Sequence, residues 1–306
     1  MPMSQKEYLV NAATSLLRLG LIGNPVAHSY SPDFQQAAFD ALAIPARYEL
    51  WQTASNELPA RVASLLIPGC LGANITIPYK EAVLPLLEVV DPLAMRIGAV
   101  NTIVHRSAHL YGYNTDAPGL LRALAEQGIG KQLEDEGVSL KGYTVVLLGA
   151  GGAARSAAFA LISAAIERLI IVNRDLQRAQ RLAAEVQQNS NCQVLSLSHP
   201  DFLVPHAKAL IINTTPVGMH ASGEQKDDSP LAAEILARFD LDTFVFDMIY
   251  NPTETPLLRQ ARLLGLRAVN GLPMLLHQGA LAFTLWTGQP APLEVMRSRL
   301  LERSLS

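Results

Sequence analysis

The sequence predicts an α/β fold made of two α/β domains, and three features carry that prediction. Short apolar runs alternate with helical patterns along nearly the whole chain, the pattern of βα units built around a parallel sheet. One of those runs leads straight into a glycine turn and an alanine-rich helix, the strand, turn and helix that open a doubly wound domain. The chain of 306 residues also exceeds what one compact core usually holds, since domains run to ~100–200 residues.

In order, a strand over residues 18–22 precedes a helix over 32–42, and a strand over 73–77 precedes a helix over 79–89. A strand over 144–148 feeds a helix over 153–165, and one over 169–172 feeds a helix over 176–187. Further strands read at 209–213, 244–247 and 266–269, the last followed by a helix over 273–287. The polar, glycine-containing stretch 126–142 separates a finished helix from a fresh strand and reads as a connection between domains. The first domain then ends near Thr115, and a second boundary lies near Gly271.

With 49% hydrophobic and 17% charged residues the chain has ample material for buried cores and none of the character of a disordered segment. The net charge of −3 arises from 27 acidic and 24 basic side chains spread along the chain. No basic stripe stands out, so a nucleic-acid partner is not expected. Cys70 and Cys192 lie in separate halves, outside any disulfide or thiolate-metal pattern, and fit a reducing cytoplasm. No apolar run reaches the ~18–20 residues that span a bilayer. The opening stretch 1–17 carries Lys6 and Glu7 and lacks a signal-peptide apolar region.

The glycine turn is Gly149, Ala150, Gly151, Gly152 and Ala153. Its glycines let backbone N–H groups and the helix N-terminus approach a pyrophosphate, as in a Rossmann-type domain. In such a unit the tip of the second strand reads the adenosine ribose, and here it carries Asn173, Arg174, Asp175 and Arg178. Two guanidinium groups suit a 2′-phosphate and favour NADP over NAD, whereas Asp175 either opposes that phosphate or orients Arg174.

Three other strand ends collect polar residues. Ser29 and Ser31 precede a helix opened by Pro32, where they would serve as anion ligands or, for Ser31, as the N-cap. Lys80 falls in the first turn of the helix expected after Pro78, where a cation opposes the helix dipole and so invites a functional reading. Asp116, at a third strand end, is an N-cap or the partner that holds the Lys80 ammonium against a substrate hydroxyl, and Asn101 adds an amide able to donate and accept.

As an ordered set, the segments GNPVAHSYSP, NITIPYKE, GAVNT, GYNTD, LLGAGGAAR, NRDLQRA, NTTPVGM and GLPMLLHQGA resemble the shikimate dehydrogenase family, including its quinate/shikimate dehydrogenase relatives. The resemblance implies an N-terminal substrate-binding domain over 1–115, completed by C-terminal helices over 271–306 that return to it, and a Rossmann-type NADP-binding domain over 116–270. It implies that Ser29 and Ser31 bind the substrate carboxylate, that Thr76, Asn101 and Gln278 bind ring hydroxyls, and that Lys80 and Asp116 form the catalytic pair. The glycine turn with Asn173, Arg174, Asp175 and Arg178 would hold NADP, with Thr214, Met248 and Gly271 near the nicotinamide and Tyr250 near the substrate. Asp175 stands where the family often has threonine, and Ala117-Pro118 replaces a frequent glycine.

The function implied is reversible NADPH-dependent reduction of 3-dehydroshikimate to shikimate in the pathway to chorismate and the aromatic amino acids, by a cytoplasmic monomer or homodimer. Lys80 is then the proton donor, and no metal is required because the ammonium supplies the electrophile. The alternatives are a quinate/shikimate dehydrogenase using NAD or NADP, and a non-catalytic nucleotide-dependent sensor on the same fold.

Overall fold

A computed structural model describes residues 16–133, 137–219 and 228–305, so most of the opening stretch, Lys6 and Glu7 included, lies outside it. The chain divides into two compact units, one holding the described residues up to Gly119 and from Leu276 onward, the other Leu120–Leu275.

The first unit opens with β1 (Leu17–Gly23), α1 (Ser31–Ala41), β2 (Ala46–Gln52), α2 (Leu58–Ala63) and β3 (Cys70–Ile75). After β4 (Val89–Val90) and α3 (Pro92–Ile97) come the antiparallel pair β5 (Thr102–Arg106) and β6 (His109–Tyr113). The sheet order is β2-β1-β3-β5-β6-β4, parallel from β2 to β3 and antiparallel from β3 through β6. Ile22, Ala73, Ile75 and Ile103 pack with Val62, Leu65, Tyr79 and Val83 in its core.

The helix expected over 79–89 is absent. Turns and a single 3-10 turn over Leu84–Leu86 take its place. Pro85 supplies the reason, because in a helix it lacks the N–H due to the Glu81 carbonyl and its ring would clash there; that carbonyl accepts from Leu84 N–H in a tighter turn instead.

The second unit follows α4 (Asp116–Glu126), a helix within which the division between units falls. The stretch 126–142 carries the short pair β7 (Lys131–Gln132) and β8 (Val138–Ser139). Then come β9 (Thr144–Leu148), α5 (Gly152–Ser163), β10 (Arg168–Val172), α6 (Leu176–Gln188), β11 (Gln193–Leu197) and β12 (Ala209–Asn213). The series ends with α7 (Ala233–Leu236), β13 (Phe244–Asp247), α8 (Pro256–Leu263) and β14 (Arg267–Val269). All six strands run parallel in the order β11-β10-β9-β12-β13-β14, the doubly wound order in which the chain reverses direction between β9 and β12. Both faces need cover, which is why these strands read as continuous apolar runs rather than alternating ones.

α9 (Leu272–Thr287) has its later residues in the first unit, where α10 (Leu293–Leu305) also lies. Trp286 and Phe283 are fully buried there. The Trp286 indole N–H donates to Ile103 O at 2.9 Å, and the Phe283 ring lies 4.9 Å from that of Phe39.

Candidate active site

In the first unit, the segments that follow β3 and precede β5, the start of α4 and the later part of α9 bring four predicted residues, Lys80, Asn101, Asp116 and Gln278, into one hydrogen-bonded group. Lys80 Nζ lies 2.7 Å from Asp116 Oδ2, and both side chains are largely buried. Asn101 Nδ2 donates to Asp116 Oδ1 and to Thr115 Oγ1, each at 2.9 Å, and lies 3.4 Å from Gln278 Oε1. Its other end is fixed because Asn101 Oδ1 accepts from Thr115 N–H at 2.7 Å, and a backbone N–H can only donate.

Two local expectations are corrected. Lys80 sits in a turn rather than a helix, so no helix dipole opposes it; its carbonyl accepts from Val100 N–H, tying this turn to the segment that carries Asn101. Asp116 is the first residue of α4 and not its cap, because Asn114 Oδ1 accepts from Ala117 N–H and leaves both Asp116 oxygens for Lys80 and Asn101.

Ser31 likewise does not cap α1. It is the first helical residue, and Ser29 Oγ accepts its N–H at 3.2 Å. Thr76 follows β3, with its N–H on Ile22 O and its methyl so close to Gly23 that a Cβ on that glycine would stand 2.3 Å away. Gln278 is placed through Gly119, where a Cβ would come within 2.8–3.0 Å of the Gln278 backbone and Cβ. Among the described residues no group of three His, Cys, Asp or Glu side chains is placed to hold a metal. His105 is buried, with Nδ1 2.9 Å from Cys70 O.

The second unit gathers the other predicted residues at the carboxyl ends of its strands. Gly149 takes a left-handed φ of +110°, and a Cβ there would stand 2.5 Å from Thr214 Oγ1. Thr214 donates from both N–H and hydroxyl to Leu148 O, so it closes the gap between β9 and β12 where the strand order reverses. Partly buried Ala150, Gly152 and Ala153 flank Gly151, which gives α5 no capping side chain and whose missing Cβ would meet open space. Backbone N–H groups at such a helix start are able to take an anion. Met248 and Gly271 adjoin, because a Cβ at Gly271 would meet Met248 O at 2.2 Å, and partly buried Tyr250 follows in the same segment.

At the tip of β10, Asn173 Nδ2 donates to Asp175 O, and Arg174 is exposed. Asp175 pairs with Arg178 rather than with Arg174. Its carboxylate caps α6 through Arg178 N–H and lies 3.4 Å from Arg178 Nε.

Family models match over residues 21–103 (shikimate dehydrogenase substrate binding domain), 131–221 (shikimate / quinate 5-dehydrogenase) and 271–301 (shikimate 5′-dehydrogenase C-terminal domain). A shikimate dehydrogenase (NADP(+)) of Symbiobacterium thermophilum is 42% identical over 92% of this chain and 93% of its own. The chain belongs to the shikimate dehydrogenase family. The crystal structure of a Thermus thermophilus shikimate 5-dehydrogenase in complex with NADP(H) and shikimate superposes with a TM-score of 0.79 at 38% identity, over 94% of this chain and 99% of that one. A quinate dehydrogenase of Corynebacterium glutamicum in complex with NAD superposes with a TM-score of 0.80 at 32% identity, over 94% of this chain and 99% of that one.

In this shikimate dehydrogenase family member, sequence reasoning passed over Tyr48, Asn74, Thr102, Thr115 and Gly119, which all touch the group around Asn101 and Gln278 or its supports. One signal was present. Asn74 is an amide inside CLGANI, a strand buried at every position, and a buried amide must find partners.

Proposed function

We propose that this protein is an NADP-dependent shikimate dehydrogenase that interconverts 3-dehydroshikimate and shikimate on the route to chorismate and the aromatic amino acids. The observation that carries the reading is the Lys80–Asp116 contact of 2.7 Å, with Asn101 on the second carboxylate oxygen, in a chain of this family. In this reading the unit holding Lys80 binds substrate and the parallel-sheet unit binds NADP.

The parallel-sheet unit fits a dinucleotide. In the turn made by Gly149, Ala150, Gly151, Gly152 and Ala153, Gly151 leaves open space before the start of α5, which has no capping side chain and is suited to a pyrophosphate. Asn173, Arg174 and Arg178 would take the adenosine ribose and its 2′-phosphate, and Thr214, Met248 and Gly271 the nicotinamide end. NADP(H), when bound, supplies or accepts the hydride.

The residues of the first unit handle the proton. Reduction builds negative charge on the substrate carbonyl oxygen, and the Lys80 ammonium stabilises it and donates a proton there; in the oxidative direction the neutral amine takes the hydroxyl proton. Asp116 holds Nζ in one place, and Asn101 fixes the carboxylate from its other side, so the donor is ordered before substrate arrives. Ser29 and Ser31 would hold the substrate carboxylate, Thr76, Asn101 and Gln278 the ring hydroxyls, and Tyr250 would also contact substrate.

A quinate/shikimate dehydrogenase with wider cofactor choice is favoured by one observation, the Asp175 carboxylate drawn onto Arg178, which weakens the cation set facing a 2′-phosphate. Absorbance at 340 nm with shikimate and quinate, each with NADP and NAD, separates the readings. Turnover of shikimate with NADP at least ~10-fold better in kcat/KM than any other pair upholds the first; the opposite order with quinate and NAD replaces it.

No helix among the described residues is long and apolar enough to cross a membrane. A cytoplasmic monomer or homodimer with small molecules as its partners completes the proposal, and light scattering after gel filtration tests the assembly state.

A further inference from the structure

We propose that Tyr48, acting through Asn74 and Thr102, is a positioning residue for the Asn101–Asp116–Lys80 group, because a one-way chain of buried hydrogen bonds runs from its phenol to the Asp116 carboxylate. This rests on the catalytic reading of that group given above. Tyr48, Asn74, Thr102, Asn101 and Asp116 are all buried, so each polar atom among them needs a protein partner.

The direction of the chain follows from donor and acceptor chemistry. Tyr48 O–H donates to Asn74 Oδ1 at 2.8 Å. Complete burial drives the Tyr48 phenol far above its ordinary titration range, so its proton is always present, and the Ser31 hydroxyl reaches the same oxygen. With Oδ1 taken, Asn74 turns Nδ2 toward Asn101 O and Thr102 Oγ1, both at 3.1 Å. The first of these is a carbonyl and can only accept, so the Asn74 amide has one permitted orientation. Having accepted from Asn74, the Thr102 hydroxyl can donate to Asn101 Oδ1 at 3.2 Å, beside the Thr115 N–H, or to Thr115 Oγ1 at 3.1 Å, whose own proton reaches Asn101 Oδ1 at 3.1 Å; on either route a hydroxyl proton ends on Asn101 Oδ1. Asn101 is left with Nδ2 facing Asp116 Oδ1 at 2.9 Å.

The register explains how the chain crosses the sheet. Asn74 and Thr102 are directly paired between β3 and β5, and Leu21 of β1 pairs with Asn74. Tyr48 stands on β2 opposite Leu19, two residues before Leu21 and so on the same face. A phenol reaching over β1 meets Asn74, a path too long for a shorter polar side chain. Stability alone does not demand this arrangement, since apolar packing of equal volume serves a core as well or better. What the chain adds to the Thr115 N–H is a second hold on that orientation: an inverted Asn101 amide would set its carbonyl against the Asp116 carboxylate and release the hold on Lys80.

Three variants test the idea: Tyr48→Phe, Thr102→Val and Thr102→Ser. The first two keep shape and remove a hydroxyl, and the third keeps the hydroxyl and removes a methyl. We expect Tyr48→Phe and Thr102→Val to lower kcat about tenfold with KM for NADP unchanged. Thr102→Ser should return to within about twofold of the parent. A packing role predicts the reverse order, with valine the milder change, and that result overturns the inference. The ¹⁵N side-chain amide resonance of Asn101 reads the same orientation without substrate: it should shift in the first two variants and not in Thr102→Ser. An unchanged resonance in all three overturns the inference even if the parent turns over neither shikimate nor quinate, an outcome that would separately sink the proposed function.

Discussion

Lys80 and Asp116 lie 36 positions apart in sequence and 2.7 Å apart in space, and each was singled out on chemical type and strand-end position. Of the two readings of Asp116, the partner of Lys80 holds and the N-cap falls to Asn114, because a side chain at a helix start takes whichever partner tertiary contact supplies; the helix-dipole argument for Lys80 fails because Lys80 lies in a turn. Lys80→Ala should lower kcat by at least ~100-fold while NADP still binds, as fluorescence titration would report; undiminished turnover removes Lys80 from the mechanism.

A second residue-level prediction concerns Asp247, whose carboxylate is buried between Asn213, Ile249 and Thr255. Burial pushes it up from 3.8 to about 6, against the pull of those three donors. Because the folded value lies above the unfolded one, the folded state holds the extra proton between those two pH values. Stability therefore falls as pH rises through that window and is level beyond it. Asp247→Asn keeps a carbonyl for Asn213 and Ile249 and presents an amide to Thr255. It should gain on the parent progressively from pH 4 to 7, by about 3 kcal/mol at most, measured by urea unfolding at each pH. A gain independent of pH would place the cost elsewhere.

Among the elements, the parallel strands and their helices were legible because an apolar run between turn signals has few other readings, and the strands Ala209–Asn213 and Phe244–Asp247 fall where expected. The hairpin β5–β6 was not legible. Its turn residues Ser107 and Ala108 have φ of +50° and +62°, a conformation usually announced by Asn-Gly. Ala108→Gly should accordingly stabilise the protein by about 0.5–1 kcal/mol, seen as a higher urea midpoint. At the start of α6, Asp175 both caps the helix and draws on Arg178. Asp175→Ser keeps an N-cap while removing the charge, so stability should change by no more than ~0.5 kcal/mol and NADP should bind several-fold tighter with NAD little affected. Equal gains for both nucleotides would show that Arg178 does not read the 2′-phosphate.

At the level of the molecule, both sheets close over cores that draw on distant sequence. Trp286 reaches Ile103 across 183 positions and is fully buried in the first unit. Trp286→Ala should cost about 3–5 kcal/mol, lowering the denaturant midpoint of the first unit; a loss under ~1 kcal/mol would mean the cavity refills.

The α/β class, the strand and helix alternation, the glycine turn and the residue types of the site follow from the sequence, since each rests on periodicity, turn chemistry or a functional group visible in one stretch of chain. The strand order, the division within α4 and α9 and the one-way chain from Tyr48 to Asp116 were decided by the tertiary structure. The physical reason is that a buried hydrogen bond is a property of two groups and the space that excludes water from them, and a linear sequence specifies only the groups.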